Sequence, residues 1–546
     1  MPSGDKVPDR NAGRQEPTAP RAIVEGLGES RDEVDFPGME PTSVAIIGAG
    51  PAGLTAGYLL GKSNVAVTIL ETDPVYVGGI ARTVQYEGFH FDIGGHRFFS
   101  KAKEVEDLWS ELLPDDLLDR PRSSRIYYRD QFFSYPLKAG EALRKLGVVE
   151  STRCVLSYLR ARLRPVKNPR SFEDWVSNQF GKRLFNIFFK TYTEKVWGMS
   201  CKEISADWAA QRIKGLSLWS AVRSALFKPK TPAAGQDKSR VIKTLIDTFR
   251  YPRRGPGMMW DAAAARIRAM GGSIRMGMNV VGCHYDAGAR MWTVIYEDQE
   301  RNRHTVEARH VISSAPMRQL VNGLTPRAPE HVIRAANSLR YRDFVTVALI
   351  LRDRNAFDDN WIYIHDPGVK VGRVQNFKSW SPEMVPDPSM TCYGLEYFCF
   401  EGDDLWNSSD ADLIEQAKRE LGKIGLARPE DVVSGTVVRQ PKAYPVYDDD
   451  YASHVSTIRA ELEQNYPNLH LVGRNGMHKY NNQDHAMMTA MLCARNIVAG
   501  EALFDLWQVN QDAEYHEAGK AGEQAGATGL RLVPGRVKEG EKVTAR

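Results

Sequence analysis

The residues with the clearest potential for chemistry form a glycine-rich turn, Gly48-Ala49-Gly50-Pro51-Ala52-Gly53. In this pattern the first glycine permits a tight turn, the second lets the backbone approach a pyrophosphate, and the third lets a helix pack closely on a strand. An apolar run at 44–47 precedes the turn, and a helical pattern at 52–60 and a second strand at 65–70 follow it. Glu71 ends that strand, where an acid can accept a ribose hydroxyl. This order predicts a dinucleotide site, and a glycine-rich turn without a ligand is the alternative.

Two more glycine segments follow, Val77-Gly78-Gly79-Ile80-Ala81-Arg82-Thr83 and Phe91-Asp92-Ile93-Gly94-Gly95-His96-Arg97-Phe98-Phe99. Together with the first turn they resemble the flavin-binding start of the superfamily of FAD-containing amine oxidases, protoporphyrinogen oxidases and UDP-galactopyranose mutases. The resemblance implies a non-covalently bound FAD, with Gly79 and Arg82 near its phosphates. It also implies that the loop of Gly94, Gly95 and His96 lies against the isoalloxazine. Taken alone, His96 is more often a structural histidine.

A C-terminal segment, Gly473-Arg474-Asn475-Gly476-Met477-His478-Lys479-Tyr480-Asn481-Asn482-Gln483-Asp484-His485, is the most specific in the sequence. It resembles the corresponding segment of eukaryotic-type UDP-galactopyranose mutases. The resemblance implies that Gly473, Arg474, Gln483 and Asp484 contact the cofactor. It also implies that the helix from about 484 to 504 points its positive end at the flavin. Asn482 or Asp484 can also serve as the N-cap of that helix.

Three further segments resemble the mutases: Tyr192-Thr-Glu-Lys195-Val-Trp197-Gly198 with Arg212 downstream, Trp361-Ile-Tyr363 followed by Arg373, and Ala443-Tyr444-Pro445. The resemblance implies that a nucleotide-sugar diphosphate is bound by six residues, Trp197, Arg212, Tyr363, Arg373, Tyr444 and Tyr480. Arginine suits a diphosphate because its planar guanidinium is bidentate and always charged. Ordinary surface or ion-paired arginines are the alternative for Arg212 and Arg373.

The activity implied by the resemblance is a mutase that interconverts pyranose and furanose rings through a sugar adduct on N5 of the reduced flavin. Its implied catalytic residues are His96, Arg212, Arg373 and Arg474. A reductant such as NAD(P)H or a flavin reductase would be a partner. The alternative is an oxidoreductase of the amine oxidase, protoporphyrinogen oxidase or desaturase type, with an external electron acceptor. A third hypothesis is a membrane-surface or complex-associated flavoprotein, in which the basic run at 160–164, with Lys167 and Arg170, touches acidic lipid. Solvated helix charge is the alternative interpretation of that run, and the one that the sequence favours.

Three departures from the mutase pattern affect the expected substrate. Arg97 stands where the mutases have an apolar residue, beside the presumed flavin contact. The link from Tyr480 to Gln483 is shorter than in the eukaryotic mutases. Leu-Lys-Ala-Gly follows Tyr135-Pro136 where the mutases carry asparagines that shape the sugar pocket. The sugar can therefore differ.

Composition limits the class of protein. The 546 residues carry a formal net charge of +4, which gives no general argument for nucleic acid binding. Six scattered cysteines without a CxxC pair favour reduced thiols over disulfides or a metal site, so no metal is expected. We find neither a secretory signal nor an apolar run long enough to cross a membrane, and expect a cytoplasmic protein. The sequence leaves both a monomer and an oligomer open.

The motifs require a discontinuous α/β fold. We predict a glutathione-reductase-type FAD-binding Rossmann domain assembled from 43–100, 241–315 and 465–505. Between these segments we predict a helical substrate or lid region at 101–240, with a hairpin turning at Asp130, and an antiparallel-sheet substrate domain at 316–464. Residues 1–40 and 509–546 lack periodicity and are predicted to be a disordered arm and tail.

Overall fold

The computed structural model describes residues 42–206 and 248–510. The predicted arm, nearly all of the predicted tail and Arg212 lie outside the described residues. The strands are β1 (Thr42–Ile47), β2 (Val67–Leu70), β3 (Thr83–Tyr86), β4 (Phe89–Asp92), β5 (Leu117–Pro121), β6 (Ser124–Tyr128), β7 (Gln131–Ser134), β8 (Thr248–Pro252), β9 (Ser273–Arg275), β10 (Asn279–Asp286), β11 (Met291–Glu297), β12 (Arg303–Ser313), β13 (Leu324–Thr325), β14 (Tyr341–Arg352), β15 (Trp361–Ile364), β16 (Arg373–Asn376), β17 (Met390–Cys399), β18 (Val432–Pro445) and β19 (Leu469–Leu471).

The α-helices of the described residues alternate with these strands along the chain. They are α1 (Pro51–Lys62), α2 (Lys103–Leu112), α3 (Ala139–Leu163), α4 (Phe172–Phe180), α5 (Lys182–Phe185), α6 (Thr191–Trp197), α7 (Gly257–Ala269), α8 (Met317–Asn322), α9 (Glu330–Ser338), α10 (Phe377–Trp380), α11 (Asp404–Asn407), α12 (Asp410–Lys423), α13 (Tyr451–Asn465) and α14 (Gln483–Ala499). Within the described part of the chain, none of these helices is both long and apolar enough to cross a membrane.

The first sheet is built around β1, which is apolar from Val44 to Ile47 because both faces of that segment are buried. Successive side chains point to opposite faces, so Val44 and Ile46 pack with α1, α7 and α14, whereas Ala45 and Ile47 pack with α8, α9 and α13. The strand order is β13-β10-β11-β12-β1-β2-β9, with β19 paired to the end of β12. The parallel pairs β1–β2 and β1–β12 confirm the predicted βαβ arrangement. This is the α/β class of fold that the sequence predicts.

The second sheet has the order β18-β14-β17-β16-β15-β6-β7 and is antiparallel except where β15 pairs with β6. Strand β14, which lies between β18 and β17, is buried along nearly all of its length. Val345 and Val347 on one face pack with α12. Phe344 on the opposite face packs with Ile93 and Ala443. The second sheet therefore meets the predicted flavin loop with one face.

The structure changes several expected boundaries. The hairpin at Asp130 is confirmed, with Arg129 and Asp130 both at positive φ, but its strands β6 and β7 belong to the second sheet rather than to a purely helical region. Helices α8, α9 and α13, expected with the substrate sheet, pack on the first sheet instead. Apolar packing decides both cases, because each amphipathic element joins the sheet face that buries it.

Turns at positive φ shape two further parts of the fold. Strands β9 and β10 are separated by a turn in which Gly277 has φ 71°. The last helix ends at Ala499 and not near 504. Gly500 follows it at φ 72°, a left-handed conformation that glycine adopts without steric cost and that ends many helices.

Candidate active site

The glycine turn between β1 and α1 leaves room only for backbone. A Cβ atom on Gly53 would lie 1.9 Å from the carbonyl oxygen of Gly48, so the third glycine is required for the turn to close. Gly48 has φ 96°, and a Cβ atom on Gly50 would lie 4.0 Å from the Cα of Gly79. Helix α1 begins at Pro51 without a side-chain cap. Its first N–H groups and the positive end of its dipole are therefore directed into the cleft, as an anion site requires.

Glu71 fixes the turn that lies next to it. One carboxylate oxygen accepts a hydrogen bond from the Ala49 N–H at 2.6 Å, and the other accepts one from the Asp73 N–H at 2.9 Å. Burial raises the pKa of Glu71, and these two hydrogen bonds oppose that effect. Each oxygen keeps a second lone pair. The predicted contact of Glu71 with a ribose stays a prediction.

A cleft with a volume of about 260 Å³ lies beside this turn. Gly48, Glu71 and Gly79 line it together with Gln440, Arg474 and Asn475. Pro51 and Ala52 also line it, and a Cβ atom on Gly473 would lie 3.1 Å from the Cβ of Ala52. The structure thus brings the first and last predicted cofactor segments to one cleft.

Arg82 joins the second glycine segment to the second sheet. Its Nη1 atom donates to the Gly79 carbonyl at 2.9 Å and to the Gln440 side chain at 2.7 Å, and its Nε lies 3.6 Å from an Asp73 carboxylate oxygen. Burial lowers the pKa of the Arg82 guanidinium, and the neighbouring Asp73 and Glu71 carboxylates oppose this. Arg82 lies beside Gly79, as expected for a group near the cofactor phosphates.

The histidine loop lies where the two sheets meet. Gly94 has φ 85°, and the position of a Cβ on it is 3.7 Å from His96 and 3.9 Å from Nη2 of Arg373. The Nδ1 of His96 is 3.1 Å from the Gly94 carbonyl oxygen, so this nitrogen carries the proton. Burial, followed by the charges of Arg474 and Arg373, lowers the pKa of His96 to about 3. His96 is therefore neutral at physiological pH.

The N-terminus of α14 has a reciprocal cap. The Asn482 side chain accepts a hydrogen bond from the backbone of His485, and the His485 side chain accepts one from the Asn482 N–H at 3.3 Å. Asn482 is thus the N-cap, whereas Asp484 lies in the first turn and accepts a hydrogen bond from the Ser100 hydroxyl at 3.1 Å. The buried Gln483 amide has no hydrogen-bond partner for its oxygen or nitrogen within the described residues. Such an orphaned amide fits a bound group.

Arg474 is held by carbonyl groups rather than by an acid. Its Nε donates to the Asn481 carbonyl at 2.9 Å, and its Nη1 donates to the Ala443 carbonyl at 3.0 Å. The guanidinium lies 5.1 Å from the ring centre of Tyr444 and 5.2 Å from that of Tyr480. The two tyrosine rings stack with their centres 5.5 Å apart at an angle of 10°. Burial, then the neighbouring Tyr480, raises the pKa of Tyr444.

Arg373 is ion-paired, which is the alternative considered from the sequence. Its Nε and Nη2 donate to one oxygen of Glu396 at 2.9 and 2.5 Å, and the other Glu396 oxygen accepts from Gln375 at 2.6 Å. Glu396 is 0% exposed. Burial on its own would lower the pKa of Arg373, but Glu396 raises it well above its ordinary value. The pair and a role toward substrate are compatible, since Arg373 also lies beside the Gly94 loop.

The other predicted substrate residues lie around the same aromatic cluster. Trp197, at the end of α6, has its ring centre 6.3 Å from that of Tyr480. Tyr363 on β15 makes edge contacts with Tyr192 at 5.2 Å and with Tyr135 at 5.0 Å. Because Arg212 lies outside the described residues, its predicted role stays a prediction.

Sequence reasoning missed the acid of this site. Glu396 stands in β17 among apolar residues, and a charged residue in a buried strand needs a buried partner. That signal was available in the sequence, although the identity of the partner was not. Arg97, named as a departure from the mutases, places its guanidinium 5.4 Å from the Trp361 ring centre, in a cation–π contact.

Comparison with known proteins agrees with this geometry. The sequence profile of the family described as flavin containing amine oxidoreductase matches residues 51–498, so the chain belongs to this family. The cofactor of the family is a flavin.

Among individual relatives, coproporphyrinogen III oxidase of Staphylococcus aureus is 24% identical over 470 residues, which are 79% of this chain and 94% of that protein. The dTDP-fucopyranose mutase of Escherichia coli is 28% identical over 175 residues, 30% of this chain and 44% of that enzyme.

Solved structures show the same fold. A reduced UDP-galactopyranose mutase superposes with a TM-score of 0.72 at 22% identity, covering 84% of this chain and 96% of that one. A putative protoporphyrinogen oxidase from Exiguobacterium sp. 255-15 superposes with a TM-score of 0.63 at 17% identity, covering 85% and 100%. At these identities the likeness concerns the fold.

Proposed function

We propose that the protein binds FAD non-covalently and acts as a nucleotide-sugar mutase, interconverting the pyranose and furanose forms of a UDP-galactose-like substrate. The observation that carries the proposal is the convergence of Arg373, Arg474, Tyr444 and Tyr480 beside the histidine loop. These residues come from separate segments of the chain, and both arginines act on the pKa of His96. Two cations beside stacked tyrosines and a neutral histidine suit an anionic substrate that carries a sugar and a base.

The nucleotide end of the cleft fits FAD on two grounds. The glycine turn, which a Cβ on Gly53 would keep from closing, holds the uncapped N-terminus of α1 at the cleft, and the Gln483 amide is buried without a partner in the described chain. In this proposal the α1 N-terminus and Arg82 hold the pyrophosphate, and Glu71 accepts from a ribose. Gln483 and the first turn of α14 face the flavin ring. When bound and reduced, FAD supplies the nucleophile for a reaction without net redox change.

At the substrate end, we assign the diphosphate to Arg373, Arg474 and the hydroxyl groups of Tyr444 and Tyr480. Glu396 orients Arg373 by binding its Nε and Nη2 through a single oxygen, which leaves Nη1 directed elsewhere. Carbonyl groups hold Arg474 without neutralising it. Neutral His96 accepts a hydrogen bond through its second nitrogen and adds no charge beside the flavin. The negative charge of the substrate is thus balanced mainly by Arg474. Arg373 contributes less, because Glu396 partly neutralises its charge.

A second candidate is the oxidation of a carboxylated porphyrinogen. The match to the S. aureus coproporphyrinogen III oxidase extends over 94% of that enzyme, whereas the match to the dTDP-fucopyranose mutase covers 44% of its length. A cationic site also suits the carboxylates of such a tetrapyrrole. This reaction would need oxygen or another electron acceptor, whereas the mutase needs an external reductant.

One experiment separates the two candidates. Flavin-loaded protein is assayed without oxygen, oxidised and after dithionite reduction, with UDP-galactopyranose and dTDP-fucopyranose, and the ring isomers are separated by chromatography. The proposal predicts isomers only with the reduced protein. In a parallel assay in air-saturated buffer, oxygen consumption and porphyrin formation from coproporphyrinogen III, together with no isomer from either sugar in the first assay, would replace the mutase by the oxidase.

A further inference from the structure

The second part of helix α3 turns an unusual face to solvent. Gly147, at φ 77° and ψ 166°, interrupts α3, so residues 148–163 form a separate helix after the kink. The inner face of this helix is well anchored. Cys154 is buried, Glu150 accepts a hydrogen bond from Nη2 of Arg183 at 2.8 Å, and the Ser157 hydroxyl accepts one from the Arg183 N–H at 3.0 Å. The orientation of the outer face is therefore fixed by the packing of the inner one.

The outer face is apolar where a surface helix is normally polar. At 3.6 residues per turn, its apolar residues occupy an arc of roughly 120°, opposite the anchored face. The exposed fractions are 84% for Val148, 68% for Val149, 43% for Val155, 61% for Leu156, 48% for Leu159 and 82% for Leu163. Single exposed apolar residues need no explanation, but a contiguous stripe marks a contact surface.

The stripe is flanked by positive charge only. From Ser151 to Phe172 the sequence contains six basic residues and no acidic one. Nη1 of Arg153 lies 3.7 Å from a carboxylate oxygen of Glu150. No ion pair within the described residues involves the other five, which are Arg160, Arg162, Arg164, Lys167 and Arg170. On the helix, Arg153, Arg160 and Arg164 border one edge of the stripe, and Arg162 borders the other.

We propose that residues 148–170, here called the basic–apolar face, adsorb to a bilayer surface that contains anionic lipid. An amphipathic helix with arginines beside an apolar stripe lies in the interface plane, with the stripe at the boundary between headgroups and acyl chains. Each basic residue near an anionic surface adds to the attraction.

The charge pattern argues against a second copy of the chain on this face. In a two-fold dimer the same patch meets itself, so the unpaired basic side chains would face one another. Glu150, the one acid between 148 and 170, is on the anchored side of the helix and is bound to Arg183, so it does not balance them. Anionic headgroups supply the missing negative charge. The proposal is independent of the reaction catalysed in the cleft.

The test is vesicle flotation of the full-length, flavin-loaded protein. One set of vesicles contains phosphatidylcholine only, and the other contains added phosphatidylglycerol. We expect binding to the anionic vesicles only, and weaker binding at high ionic strength. The variant Arg160→Gln/Arg162→Gln/Arg164→Gln should partition about 100-fold more weakly. Its matched control, Arg290→Gln/Arg301→Gln/Arg309→Gln, removes the same charge from exposed sites elsewhere and should bind like the wild type.

A second variant, Leu156→Ser/Leu159→Ser/Leu163→Ser, leaves the charge unchanged and should bind at least about tenfold more weakly. Flavin absorbance and the thermal midpoint check that both variants fold. Equal binding to the two vesicle types, no binding to either, or wild-type binding by the arginine variant would overturn the proposal. The proposal would also be overturned if the protein bound no vesicles but formed a dimer that the leucine variant dissociates. A second copy of the chain would then cover the face.

Discussion

The two ends of the candidate site are built in different ways. At the nucleotide end, backbone makes the site: closely spaced glycines form a tight turn into α1 that a Cβ atom on Gly48 or Gly53 would disrupt. At the substrate end, side chains make it: Arg373, Tyr444 and Arg474 arrive from different segments and are held by Glu396 and by carbonyl groups. The nucleotide end depends on steric space and the substrate end on buried charge, so mutations should impair the two ends in different ways.

The largest effect is expected at the substrate end. Arg373→Ala leaves Glu396 buried without its cation and should lower the free energy of unfolding by about 3–5 kcal/mol. The double variant Arg373→Ala/Glu396→Gln should recover part of that loss. Arg303→Ala, which breaks an exposed pair with Glu297 at 3.0 Å, is the control and should cost less than about 1 kcal/mol. Urea unfolding measures the free energy of unfolding of all three variants. Equal losses in Arg373→Ala and Arg303→Ala would show that the buried pair contributes no more to stability than the exposed one.

The nucleotide end should lose flavin while keeping its fold. Gly53→Ala places a methyl group against the Gly48 carbonyl, and overpacking of about 3 kcal/mol would weaken flavin binding about 100-fold. Gly57→Ala in the same helix is the matched control, because its methyl group meets the movable end of Ile69 at 2.7 Å instead of backbone. Flavin titration by fluorescence quenching distinguishes them. Equal affinity in both variants would contradict the steric account of the cradle.

The buried histidine of the aromatic cluster gives a pH prediction. His365 stacks on Tyr192 with ring centres 5.0 Å apart, and burial, followed by the charge of Lys195, lowers the pKa of His365 to about 3. Only the unfolded chain then takes up a proton on this residue below about pH 6.5. The contribution of neutral His365 to the free energy of unfolding is therefore complete above about pH 6.5. It falls by up to about 1.4 kcal/mol per pH unit as the pH is lowered toward about 3.

His365→Gln should therefore lose less stability than the wild type between neutral pH and pH 5, measured by urea unfolding. His331→Gln, at an exposed position of α9, should behave like the wild type. Parallel pH dependence in the wild type and His365→Gln would refute the depressed pKa.

The smallest effect should come from one hydroxyl group. Tyr444→Phe keeps the ring stacked on Tyr480 but removes the hydroxyl group that the proposed function assigns to the substrate, and one such hydrogen bond is worth about 1 kcal/mol. We expect several-fold weaker nucleotide-sugar binding with unchanged flavin affinity. Tyr285→Phe, in the first sheet against Trp292, should change neither. If Tyr444→Phe weakens flavin binding as much as nucleotide-sugar binding, the two ends of the site do not act independently.

The same contrast explains what the sequence could predict. The glycine turn, β1, α1 and Glu71 are contiguous or nearly so, and each residue has a steric or electrostatic reason that can be read locally. The pairing of Arg373 with Glu396 joins two strands and follows from sheet register, which short-range patterns do not encode. Likewise, the assignment of β6 and β7 to the second sheet depends on which apolar face buries them. The residues around the substrate end were therefore found by resemblance, and the acid that orients Arg373 was missed.

The most direct test of the account is calorimetric titration of the flavin-loaded protein with UDP-galactopyranose. The matched variant is Arg373→Lys, which keeps the charge opposite Glu396 but loses the planar fork; Arg212→Ala tests the remaining sequence prediction. We predict saturable binding by the wild type and a loss of about 2 kcal/mol or more in each variant. Absence of binding by the wild type, or unchanged affinity in both variants, would contradict the claim that this cluster recognises a nucleotide-sugar.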